Sequence, residues 1–197
     1  MRKKSFVFNL IICVTALVLT TGCATTVPKP EFTKQIAPES QLAAKDDANV
    51  KVETGTGVTM LESEKVRVAE KIKQRIDARK VTNNQDASTK SYEIKLVMTK
   101  YEKGNAFARA MLAGLGQIHI DADVTVFEMP TQTPVGNFSL SKTFAWGGIY
   151  GGTTSMEDIE TTFADGVAAA LTGQNEEPKK SAEQTTVSAN SSSTVFR

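Results

Sequence analysis

Three runs of alternating apolar and polar residues constrain this chain more than any other feature. Tyr92, Ile94, Leu96 and Met98 alternate with Glu93, Lys95, Val97 and Thr99. Ile118, Ile120, Ala122, Val124 and Val126 repeat the pattern, and Phe138, Leu140, Phe144 and Trp146 share one side of a third run. Successive side chains of a strand point to opposite faces, so a period of two marks strands with one buried face. The turn-rich stretch holding Pro130 and Pro134 joins the last two runs as a hairpin. A sheet with one apolar face needs a cover, and two stretches of helical period supply it. Residues 61–80 carry Leu61, Val68, Ile72 and Ile76 at helical spacing, with Lys and Arg on the other side. Met156, Ile159, Phe163, Val167, Ala170 and Leu171 form the second apolar stripe. It is preceded by a Ser155/Asp158 capping-box variant and followed by Gly173 as C-cap. With a short strand at Val50 and Val52, the order is strand, helix, three strands, helix. The expected fold class is α/β: a single small α/β sandwich over 48–173, with a mixed or mostly antiparallel sheet and helices packed on it.

The chain outside this block has a different character. Arg2, Lys3 and Lys4 precede an apolar run from Phe6 to Leu19, which ends in Thr20-Thr21-Gly22-Cys23. Fourteen residues of helix reach about 21 Å, short of the roughly 30 Å hydrocarbon core of a bilayer. The order of charged start, short apolar run, small residues and Cys resembles a bacterial lipoprotein signal peptide. The resemblance implies cleavage after residue 22 and acyl chains on Cys23. More than one chain gives durable anchoring. Ala24 follows the Cys where an inner-membrane retention signal would have Asp, so the outer membrane, facing the periplasm, is the expected location. Residues 24–47 are rich in Thr, Pro, Lys and Ala, so 23–47 reads as a lipidated tether. Residues 174–197, polar and crowded with Ser and Thr, read as a disordered tail.

Removing Arg2, Lys3 and Lys4 from the 23 basic residues leaves 20 against 22 acidic ones, a net formal charge near −2. No basic face argues for nucleic acid. Cys13 leaves with the signal peptide, so Cys23 is the one cysteine of the mature chain, and a disulfide framework is excluded.

The block from Tyr101 to Gly116 is the most distinctive part of the domain: Gly104-Asn105, then Arg109, then Gly114-Leu115-Gly116, leading into an alternating strand. Over residues 92–171 it resembles an uncharacterised family of bacterial lipoproteins, domain of unknown function forty-four-ten. The hairpin departs from the family pattern at Glu128-Met129-Pro130 and Gly136. The order of elements is also similar to periplasmic α/β domains of the curli-secretion lipoprotein and the TolB amino-terminal domain. The lipoprotein activators of penicillin-binding proteins share it too. That similarity implies assembly or adaptor work rather than catalysis, by analogy of fold alone.

Three constellations are candidates for a site. His119, Asp121 and Asp123 share one face of a strand and are ligands that zinc or manganese accept. Neighbours on that face stand nearly 7 Å apart, however, so convergence on one ion needs help from another strand. The plainer reading is the solvated side of a half-buried strand. The glycine-rich stretch 147–152 lacks the Lys of a P-loop and the Gly-x-Gly-x-x-Gly spacing. It reads as a connection whose aromatic neighbours, Trp146 and Tyr150, are the place for a protein or glycan partner. Residues 104–116, with Phe107, Met111, Leu112 and Leu115 around Arg109, read as a crossover packed on the sheet, with Arg109 bonding loop carbonyls. The competing reading is an amphipathic helix on a membrane or a neighbouring subunit. No triad for nucleophilic catalysis is present.

The sequence therefore points to a lipid-anchored envelope protein with no catalytic residue, no metal and no cofactor. Its work would be binding or organising an unknown envelope protein or glycan, and a homo-oligomer is kept open. Two rivals stand beside it: a cell-wall or glycan-acting metal-dependent enzyme using His119, Asp121 and Asp123, and a subunit of an oligomeric secretion assembly. The second would need long membrane hairpins, which strands of about ten residues belonging to a core do not provide.

Overall fold

The computed structural model describes residues 28–80, 89–112 and 115–174. The expected signal peptide, Cys23, the 82–88 part of the polar loop and residues 175–197 of the tail lie outside them. In chain order the elements are β1 (Pro30–Lys34), β2 (Asp47–Thr54), α1 (Glu62–Arg79), β3 (Ser91–Glu102) and α2 (Ala106–Met111). Then come β4 (Ile118–Met129), β5 (Thr133–Phe144), α3 (Gly148–Thr153) and α4 (Met156–Thr172). The strands form one sheet in the order β1-β5-β4-β3-β2. The β2–β3 pair is parallel, with α1 as its crossover, and the other three pairs are antiparallel.

The alternating runs become β3, β4 and β5. Their apolar sides are closed to solvent by α1 and α4, which bring Val68, Ile72, Ile76, Phe163, Val167 and Leu171 to the same core. At α4 the expected capping box forms in full, and Gly173 takes the left-handed conformation at φ 70°. α1 starts with half of such a box, the Leu61 amide donating to Glu64 Oε2 at 2.9 Å. The other face of the sheet is polar and partly exposed. Ion pairs Lys51–Glu93 at 2.6 Å and Lys95–Glu53 at 3.0 Å join β2 to β3 there.

α1 and α4 are joined by an ion cluster that periodicity did not single out. The Glu160 carboxylate, with no solvent exposure, receives Arg67 through Nε at 2.8 Å and Nη2 at 2.7 Å. It also receives the Tyr101 hydroxyl at 2.6 Å and pairs with Lys71 at 3.1 Å. Burial acts to raise its pKa, but the bonds from Arg67, Tyr101 and Lys71 outweigh it and hold the carboxyl below the usual glutamate range. Burial and the same carboxylate push the Tyr101 hydroxyl well above its ordinary value. The one signal in the sequence was the position of Glu160 inside the apolar arc of α4, beside Ile159 and three residues before Phe163.

The structure corrects the tether. Residues 30–34, read as loose chain, form edge strand β1 on β5, with the Phe32 ring 5.2 Å from that of Phe138. Ile36 and Leu42 belong to the core, and the Leu42 amide donates to the Leu171 carbonyl at 3.0 Å. The ordered unit therefore includes residue 28 and does not wait for residue 48. Pro and Lys hid the strand in the sequence, and both are residues an edge strand tolerates.

Candidate functional site

The end of the sheet where β3 and β5 finish and β4 begins carries the two short helices α2 and α3. α2 occupies the β3–β4 connection and α3 follows β5, and the register that pairs Ile118 with Phe144 brings the two connections together. The described residues of 104–116 and the stretch 147–152, read as separate candidates, therefore build one surface.

Each part of that surface has a local cause. Asn105 caps α2, its Oδ1 accepting the Ala108 amide at 2.9 Å, while its own amide donates to the Gly116 carbonyl at 3.1 Å. Gly104 and Gly116 have φ of 63° and 69°, and a Cβ on either would stand 2.3 Å from a carbonyl oxygen of the facing strand of chain. Only glycine closes this loop so tightly. Gly151 approaches the Trp146 carbonyl just as closely.

Arg109 holds the pieces together. It is 3% exposed. Its Nε donates to Gly151 O at 2.8 Å, Nη1 to Gly116 O at 2.9 Å and Lys103 O at 3.4 Å, and Nη2 to Thr154 O at 3.0 Å. Every acceptor is a backbone carbonyl, and two of them, Gly151 and Thr154, lie at the C-terminal end of α3, where the helix dipole favours a cation. Burial pulls the guanidinium pKa down from its usual value. The expected bonds from Arg109 to loop carbonyls are present. The expected packing of this segment on the sheet is not: α2 leans on α3, because Ala106 and Ala110 meet Gly152 there.

With its polar groups turned inward, this end presents apolar side chains outward. Phe107 is 74% exposed and Ile149 84%. Met111, Leu112, Leu115, Trp146 and Tyr150 are exposed as well. Trp146 was expected on the buried side of the third strand; β5 ends at Phe144, the last residue paired with β4, and the indole lies beyond the ladder. From 104 to 118 and from 143 to 156 the one charged residue is the buried Arg109.

His119, Asp121 and Asp123 lie on the open face of the sheet, as their spacing requires. The ring nitrogens of His119 bond Thr143 Oγ1 at 3.0 Å and Gln117 Oε1 at 2.9 Å, and Asp121 accepts from Ser141 Oγ at 2.6 Å. Asp123 is exposed. Among the described residues no group of three His, Cys, Asp or Glu side chains could hold a metal ion. Nor is any helix among them long and apolar enough to cross a membrane.

A small α/β sandwich with a braced, uncovered apolar end is thus what fold and site define. Residues 34–148 match the family model described as Domain of unknown function (DUF4410), and the chain belongs to that family. Among solved structures it is similar to the PelC dodecamer from Paraburkholderia phytofirmans, at 10% identity and a TM-score of 0.47. That match covers 74% of this chain and 97% of the other. It is also similar to a Xanthomonas campestris protein of the family model DUF330, at 12% identity and a TM-score of 0.40, over 76% of this chain and 97% of that one. No curated protein matches the chain.

Proposed function

We propose that this chain is a lipid-anchored protein of the cell envelope with a binding or organising role rather than a catalytic one. In this reading residues 1–22 are removed, acyl chains on Cys23 fix the protein to the outer membrane, and the domain faces the periplasm. The observation that carries it is the α2–α3 end: seven exposed apolar side chains on a frame braced by a buried arginine. Such a surface docks something; it supplies no nucleophile, acid or base. Trp146 and Tyr150 belong to it. The alternative enzyme built on His119, Asp121 and Asp123 has weaker support, because His119 and Asp121 are engaged with neighbours on their own sheet.

Cys23→Ser tests the anchor. The wild-type protein should fractionate with the outer membrane and carry acyl mass on its first peptide, whereas the variant should be soluble. Membrane retention of the variant would remove the basis of the reading. His119→Ala and Asp121→Asn test the absence of catalysis. Each variant should fold and support the envelope as the wild type does, and loss of function in a folded variant would restore the enzyme.

A further inference from the structure

The position of Pro28 limits what can lie over the α2–α3 end. β1 runs antiparallel to β5 with Pro30 opposite Leu140, so the chain before Pro30 heads toward the end of the sheet where β5 finishes. Pro28 is fixed on the way, between β5 and the middle of α4: a Cβ on Gly166 would stand 2.6 Å from Pro28 Cβ and 3.1 Å from Leu140 Cδ2. Cys23 is five residues earlier in the sequence. Five residues at full extension span no more than about 17 Å.

That length decides between the two ends of the molecule. Continued by two residues, the β1–β5 register sets Pro28 level with residue 142. The start of β5 at Thr133 is then nine residues away along the strand, roughly 30 Å. A bilayer holding the Cys23 acyl chains cannot reach that far end while Pro28 stays in place. In the other direction only two residues of strand, about 7 Å, separate the level of Pro28 from the end of β5 at Phe144, and α2 and α3 lie at that end. Five residues of chain cover that step with about 10 Å to spare, so the bilayer at Cys23 lies on the side of α2 and α3.

The chemistry of the surface agrees with its position. Both segments, 104–118 and 143–156, are free of exposed charge. They present two aromatics with a polar edge, Trp146 and Tyr150, among Phe107, Met111, Leu112, Leu115 and Ile149. Amphipathic aromatics favour the headgroup level, and shallow apolar insertion adds attachment to a lipid anchor. The open face of the sheet, with Lys51, Glu53, Glu93 and Lys95, has the wrong character for that environment.

We propose that the α2–α3 end rests in the surface of the same bilayer that carries Cys23. The inference rests on the lipid-anchored reading, and one experiment separates the two. Trp146 is the single tryptophan of the chain, so its fluorescence reports on this surface alone. Full-length processed protein is reconstituted in vesicles of phosphatidylethanolamine and phosphatidylglycerol, with the mass at Cys23 recorded. The emission should move to shorter wavelength than in the soluble Cys23→Ser protein. Iodide quenching should fall severalfold, and lipids brominated high on the acyl chain should quench strongly.

Phe107→Ser combined with Ile149→Ser should cut the bromine quenching severalfold, with vesicle attachment unchanged. Acylated, vesicle-bound protein whose Trp146 stays as open to iodide as in buffer overturns this inference alone. So does a shift that grows with protein density and ignores bromine, since a second copy is then the occupant. Absence of acyl mass at Cys23 overturns the anchored reading and this inference together.

Discussion

At one end of the sheet a buried cation gathers carbonyl oxygens; at the other a buried carboxylate gathers amide hydrogens. Arg109 takes the carbonyls of Lys103, Gly116, Gly151 and Thr154. Asp46, 7% exposed, accepts the amides of Ala43 at 2.8 Å and Lys90 at 2.9 Å. Around Asp46 the remaining polar groups are ionic. Lys80 reaches the Asp46 carbonyl at 2.6 Å and Asp77 at 2.9 Å, and Lys90 reaches Glu128 at 3.5 Å. Around Arg109 most of the exposed side chains are apolar, with the Lys103–Glu64 ion pair at the margin. Both ends solve the same problem, that of satisfying buried backbone groups where strands stop. They differ in what is left over. The Asp46 end leaves charges that water solvates, and the Arg109 end leaves apolar area that water does not.

The sharpest way to break the contrast is to remove the cation. Arg109→Met leaves the buried Gly151 carbonyl and the part-buried carbonyls of Lys103 and Thr154 without this donor and should cost about 3 kcal/mol. The loss should be local: hydrogen exchange should accelerate in 104–116 and 148–154, while the Asp46 end stays protected. Arg109→Lys should recover only part, since an ammonium cannot fork to carbonyls on opposite sides. Uniform acceleration over the whole sheet would show that Arg109 supports the fold rather than this end.

Asp46→Ala is the matching change at the other end and should cost less, about 2 kcal/mol, because two amides lose an acceptor. Denaturant unfolding of the two variants should rank them in that order. A reversed ranking would mean that the charged end carries the greater strain of closure.

How far the two ends could be foreseen follows from their chemistry. The strands were legible because one face is buried from Tyr92 to Met98 and from Ile118 to Val126, and burial on one face writes a period of two. The bonds of Arg109 to carbonyls were legible because a lone cation among glycines and alanines has little else to bond. That the described residues of 104–116 and the stretch 147–152 form a single surface was not, because nothing local to either segment encodes it; the pairing of Ile118 with Phe144 does. β1 escaped notice because an edge strand needs only one inward residue, here Phe32, and the flanking Pro and Lys read as linker. Glu160 escaped because its partners, Arg67 and Lys71, lie more than eighty residues away in sequence.

Acid should separate the ends as well. The carboxyls held below their ordinary range are Glu64, Asp158 and Glu160, in the first turns of α1 and α4. A carboxyl with a lowered folded pKa contributes stability that is fully present above its unfolded value, about 4.3 for glutamate and 3.9 for aspartate. That stability is lost as pH falls through the folded value. Tm should therefore fall below about pH 4.5. Exchange should rise first in the early turns of α1 and α4. Glu160→Gln should make the acid slope shallower, since it removes the most buried of the three groups. An unchanged slope would place the acid sensitivity outside this cluster.

The smallest effect is expected at Tyr92, which faces the Asp46 end from inside the sheet. Its ring is 1% exposed, and its hydroxyl has no hydrogen-bond partner among the described residues. Burial, with Asp46 and Glu128 nearby, pushes that hydroxyl well above the ordinary tyrosine pKa, so it stays protonated across the physiological range. A buried donor without an acceptor costs stability, whereas an apolar replacement of the same shape does not. Tyr92→Phe should be neutral or stabilising by up to about 1 kcal/mol, read by denaturant unfolding. The corresponding loss of a single polar contact at the Arg109 end, Asn105→Ala, removes a cap and should cost about 1 kcal/mol. Opposite signs for these two changes would show that the charged end has polar groups to spare while the apolar end has none. A clear loss on Tyr92→Phe would mean that the hydroxyl is engaged and that both ends are equally tight.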